Sequence, residues 1–91
     1  MECRQGEVVA TYKTLVALFG EPKAGEDKID AVWVVHFENG DYATIYNWKN
    51  GENYLGGDGL PVSEITTWNI GGTHKRVAEY VNELVRAHPD E

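Results

Sequence analysis

The sequence predicts an α+β fold: a small antiparallel β-sheet, made of a hairpin plus a third strand, packed with an N-terminal and a C-terminal helix in the order α-β-β-β-α. Three patterns carry that prediction. Tyr12, Leu15, Val16 and Phe19 recur at helical spacing. A run of β-branched and aromatic residues, 31–37, leads through Asn39-Gly40 into a second such run, 42–48. Near the C-terminus, Val77, Tyr80, Val81, Leu84 and Val85 form the apolar stripe of another helix. Ninety-one residues make one domain, 1–91, near the length at which a single core suffices without disulfides or metals.

Each element follows from local chemistry. Thr11 is placed to cap the first helix, and Gly20 with Pro22 ends it. Residues 8–10 either extend that helix or form a short edge segment. A charged loop, 21–30, precedes the hairpin, for which two registers are open. A two-residue turn at Asn39-Gly40 sets Trp33, Val35 and Phe37 beside Thr44, Tyr46 and Trp48. A three-residue loop, Glu38-Asn39-Gly40 with Gly40 left-handed, sets them beside Ala43 and Ile45. The second gives one apolar face and is favoured on burial. Residues 50–63, with four glycines and a proline, read as a long loop. Residues 65–70 read as the third strand, and Thr73 as the cap of the last helix. Arg86 and His88 suit that helix's C-terminal end, and Pro89 follows it.

Charge narrows the function classes. With 8 basic against 15 acidic residues, net −7, the chain is poorly suited to gripping nucleic-acid phosphates directly. Residues 21–64 hold nine carboxylates and three lysines, a surplus that would steer a partner with a basic groove. Cys3 is the single cysteine, which excludes an internal disulfide and suits a reducing compartment. The first residues carry no apolar signal region, and no apolar run nears the ~20 residues that span a bilayer. The expected location is cytoplasmic, with no membrane partner.

No pattern of catalytic or metal-ligating residues stands out. His36, His74 and His88 lack companions at zinc-ligand spacing, and the only serine, Ser63, sits in no nucleophile motif. The paired acids Glu26-Asp27 read as a solvated loop pair. The chain is therefore read as no enzyme, with no cofactor and no metal. Two constellations remain. One is Gly71-Gly72-Thr73 with Lys75 and Arg76, a strand-to-helix corner that could cradle an anion. Two cations in a helix's first turn oppose its dipole, so they either face a bound anion or are satisfied by the chain's own carboxylates, and the internal explanation is favoured. The other is the aromatic set Tyr42, Tyr46, Trp48, Tyr54 and Trp68, interleaved with Asn47, Lys49, Asn50 and Asn53, the composition of a protein contact surface or a base-stacking platform. Trp33 and Trp68 are read as core.

The order of Phe19-Gly20-Glu21-Pro22, Ala43-Thr44-Ile45-Tyr46-Asn47-Trp48-Lys49 and Trp68-Asn69-Ile70-Gly71-Gly72 resembles a family of small bacteriophage proteins of unassigned function, over roughly residues 10–85. The resemblance implies expression in the cytoplasm of an infected bacterial cell and carries over no catalytic residue. Thr14 stands where a glutamate would complete a capping box with Thr11. In size, charge and architecture the chain is also similar to inhibitors that phages direct against host defence nucleases, an analogy at fold level.

The resulting expectation is a non-enzymatic, anti-CRISPR-like phage protein that binds and inhibits a host defence complex. Glu38, Asp41, Glu52 and Asp58 would supply charge, and Tyr42, Tyr46, Trp48 and Tyr54 contact area. The alternative is a sponge for a phosphorylated signalling nucleotide, with Gly71, Gly72, Thr73, Lys75 and Arg76 at the phosphate and Trp48, Tyr54 or Trp68 at the base. A third reading is a virion or scaffold module, for instance a homodimer paired through the outward face of the hairpin.

Overall fold

The computed structural model describes residues 4–25, 28–48 and 50–88. Its elements are β1 (Arg4–Val9), α1 (Tyr12–Phe19), β2 (Lys23–Ala24), β3 (Ala31–His36), β4 (Tyr42–Tyr46), α2 (Glu52–Leu55), β5 (Thr67–Gly72) and α3 (Arg76–Ala87). The class is α+β. In place of a hairpin plus one strand, five strands among the described residues form a single antiparallel sheet in the order β1-β5-β4-β3-β2. Among the described residues the first element is a strand rather than a helix. Of residues 8–10, left undecided by the sequence, Val8 and Val9 end β1 and Ala10 follows it, because Val8 pairs with Trp68 and buries its side chain under the helices.

The hairpin adopts the register with one apolar face. Trp33 lies opposite Ile45 and Val35 opposite Ala43. The Phe37 amide donates to the Asp41 carbonyl at 2.9 Å, closing a three-residue loop in which Gly40 takes φ +93°. Ala31, Trp33, Ala43, Ile45, Trp68, Ile70 and Val8 are therefore buried on one side. Leu15 of α1 and Val77, Ala78 and Val81 of α3 complete that core, with Tyr12, Val16 and Phe19 packed against it. Full burial of each aliphatic side chain contributes roughly 1.5–3 kcal/mol. The two core tryptophans meet edge to face at 5.2 Å and each satisfies its indole N–H on a backbone carbonyl, Trp33 at Gly20 (2.8 Å) and Trp68 at Ala10 (2.9 Å).

Two boundaries differ from expectation. The last strand runs two residues later than 65–70. Ile65 closes a 3₁₀ turn by donating to the Val62 carbonyl, while Gly71 and Gly72 continue to pair with Thr44 and Ala43. The last helix begins at Arg76, with Lys75 before it, and Thr73 is not its cap. The Thr73 hydroxyl is spent elsewhere, accepting from the Tyr42 amide at 3.1 Å. Thr11 does cap α1, accepting from the Thr14 amide at 3.1 Å, and Gly20 ends that helix. The segment read as loop 50–63 contains α2 and two 3₁₀ turns, Gly56–Asp58 and Val62–Glu64. Among the described residues no helix is long and apolar enough to cross a membrane.

Candidate functional site

Strand β4 has a buried polar residue just beyond each end, and the expected site residues divide between them. At the start, Asp41 is 7% exposed. Arg76 embraces its carboxylate, Nε donating to Oδ2 at 2.6 Å and the terminal nitrogen to Oδ1 at 3.2 Å. Thr73 donates to Oδ1 at 3.2 Å and Asn39 to Oδ2 at 3.1 Å. The Arg76 bonds, helped by those of Asn39 and Thr73 and opposed by desolvation, hold the Asp41 carboxyl below its ordinary pKa. The same pairing raises that of Arg76.

This corner bears on both sets of expected residues. Asp41, expected to present charge outward, directs it into the chain. Arg76, a candidate anion ligand, already holds an anion, the internal explanation favoured by the sequence. Gly71 and Gly72 lie buried in β5 rather than in an open loop, and the Gly72 carbonyl accepts from the Gln5 side chain at 3.2 Å. A Cβ on Gly72, whose φ is +146°, would stand 2.3 Å from the Tyr42 carbonyl oxygen. The glycine permits close strand approach there. Lys75 is exposed beside the corner.

At the other end of β4, Asn47 is 1% exposed and uses its whole side chain. Its oxygen accepts from the backbone amides of Asp30 (2.8 Å) and Ala31 (3.1 Å). Its nitrogen donates to Asp30 Oδ1 (3.0 Å) and Asn50 Oδ1 (3.1 Å). Asp30 in turn accepts from the Asn53 amide at 3.2 Å, and the Asn53 side chain donates to the Ile29 carbonyl at 2.8 Å. Asp30 thereby caps the short α2 from the residue just before β3, a role the helix's own N-cap, Gly51, cannot fill. A Cβ on Gly51 would lie 2.1 Å from Asp30 Oδ1, so the loop sits directly on this network.

What the network supports is exposed and apolar. Trp48, Tyr54, Leu55 and Leu60 are each 43–45% exposed. Lys28 Nζ lies 5.9 Å from the Trp48 ring centre and 6.0 Å from that of Tyr54, bringing the two aromatics around one cation. Glu52 and Asp58 are exposed on the same loop.

The remaining expected residues lie apart from this loop. Glu38 is exposed at the hairpin turn and Tyr42 is half-buried next to it. Tyr46, expected at the surface, is 5% exposed on the sheet face opposite the helices, between Val32 and Asn69, and desolvation raises its phenol pKa. Trp68 is core. Lys49, Cys3, Glu26, Asp27 and Pro89 lie outside the described residues. No group of three or more potential metal ligands occurs among the described residues. Sequence reasoning passed over Asp30, Leu55, Leu60 and Lys28, and took Asn47, Asn50 and Asn53 only as polar neighbours of the aromatics. Their spacing of three was the available signal.

Comparison of the chain with protein-family models, with curated proteins and with solved structures returns no match.

Proposed function

We propose that the chain is a non-enzymatic phage protein that binds and inhibits a CRISPR-type defence complex of its bacterial host, using the loop after β4 as its contact surface. The observation that carries this reading is the loop's construction: two aromatic and two leucine side chains held over two-fifths exposed above a fully bonded buried amide. Keeping large apolar groups in water is unfavourable for a monomer, and rigid Trp and Tyr are typical anchors of protein interfaces. Glu52 and Asp58 rim the loop, and the net charge of −7 adds long-range attraction toward a basic, nucleic-acid-handling groove. Asp41 and Arg76 belong to the fold in this reading, which removes the nucleotide-sponge alternative's principal cation from play.

The test is binding of purified, guide-loaded CRISPR effector complexes to the immobilised chain, with nuclease activity followed in parallel. Retention and inhibition should weaken as salt rises. The double substitution Trp48→Ala, Tyr54→Ala should cost at least ~10-fold in affinity while leaving the unfolding midpoint nearly unchanged. Failure to retain or inhibit any loaded effector, or binding indifferent to that double substitution, would sink the proposal.

A further inference from the structure

We infer that the cleft between the start of α1 and the end of α3 is a binding site for a small monocarboxylate, its head at Arg86 and His88 and its short apolar body over Val9 and Val85. The cleft has a volume of about 320 Å³, which falls in the small end of the range for small-molecule sites, roughly 300–1,000 Å³. It shares no residue with the loop after β4, so the inference stands independently of the proposed function.

The floor is preformed. The Ala10 amide donates to the Thr66 carbonyl at 2.9 Å, and the Ala10 carbonyl accepts from the buried Trp68 indole at 2.9 Å. Along one wall lies Val9, which at 71% is the most exposed large hydrophobic side chain of the described residues. A ligand's hydrocarbon would cover it. Thr11 and Thr14 line the rim at the first turn of α1, whose positive end favours a carboxylate. The Thr11 hydroxyl donates to Thr14 Oγ1 at 3.1 Å while accepting the Thr14 amide. With that bond accepted, the Thr14 hydroxyl keeps its own hydrogen for a further acceptor.

The cation decides the ligand class. Of the three arginines, Arg4 is paired with Glu7 and Arg76 with Asp41. Arg86 makes no ion pair among the described residues, in a chain where acids outnumber bases 15 to 8. A guanidinium fork accepts a carboxylate through two parallel hydrogen bonds. On its far side Arg86 shares a second groove with Glu79 and Glu83, outside ion-pair distance. Their charges and the net −7 penalise a multiply charged ligand and favour a monoanion.

The inference is tested by following backbone amide resonances of the full chain during titration with acetate, butyrate and inorganic phosphate at constant ionic strength. Butyrate should give saturable shifts confined to residues 9–14, 66 and 85–88, and bind at least threefold tighter than acetate. Phosphate should bind more weakly than butyrate. Arg86→Gln, at an exposed position whose spectrum reports its own folding, should weaken butyrate at least tenfold, and Arg4→Gln should not. Shifts that fail to saturate or spread over the surface, no gain from acetate to butyrate, tighter binding of phosphate, or an unaffected Arg86→Gln variant would each overturn the assignment.

Discussion

Asp41 and Asn47 flank the same five-residue strand, are nearly equally buried, and each collects hydrogen bonds from several parts of the chain. Around Asp41 the partners are side chains: Arg76 from α3, Thr73 from just after β5 and Asn39 from the hairpin turn. The cluster consumes its own charge and seals a corner. Around Asn47 the partners are two backbone amides and the Asp30 carboxylate at the β3 entry, and the Asn50 side chain of the following loop. That cluster neutralises nothing and holds a loop so that its apolar side chains stay outside. A buried polar residue can thus close a surface or prop one open. The difference lies in what its partners carry.

The largest effect should come from Asn47→Ala, which strips the Asp30 and Ala31 amides of their acceptor in a buried place. We expect a loss of about 3 kcal/mol, at the upper end of the cost of orphaned buried donors, read from the urea midpoint at constant m value. If stability instead changes by less than about 0.5 kcal/mol, as at an ordinary surface position, the loop is not held by this amide.

Next in size is Gly72→Ala at the opposite end of β4. Its positive φ and the Tyr42 carbonyl 2.3 Å from the added Cβ predict a loss of about 2 kcal/mol from backbone strain and local displacement. The same chemical denaturation measures it. Fluorescence of Trp48 should stay unchanged, since the loop is anchored at the other end, and a shifted Trp48 signal would argue that the two ends are coupled.

The smallest effect is electrostatic and visible only in acid. The Asp41 carboxyl has a lowered pKa in the folded chain, so its contribution is fully present above the ordinary value of an unfolded aspartate, about 3.9, and is lost as pH falls through the folded value. Wild-type stability should therefore drop more steeply between about pH 5 and pH 2 than that of Asp41→Asn, with the gap between them narrowing toward the acid end. Parallel acid profiles would mean that the Arg76 pairing adds no pH-dependent stability.

Much of this is legible in the sequence. The α1 boundaries, the three-residue hairpin loop and the buried tryptophans follow from spacing, turn chemistry and the burial of one apolar face. The position of the loop proposed as a contact surface was marked by its glycines and aromatics. Its exposed leucines did not, because Leu55 and Leu60 look like core residues until the loop's path is known. Tyr46 misled for the converse reason. It alternates outward from the helix-covered face, yet Val32 and Asn69 on the neighbouring strands leave it little surface.

The sequence by itself determined the buried stripes of α1 and α3, the faces of the β3–β4 hairpin and the acidic balance, since each depends on residues a few positions apart. Tertiary structure alone decided which charges remain available. Arg76 finds Asp41 across 35 residues, Asp30 caps a helix 23 residues away, and Arg86 stands at a cleft without an ion pair among the described residues. Periodicity reports local geometry, whereas the partner of a charge depends on which strands lie side by side, and five short strands can be ordered in many ways.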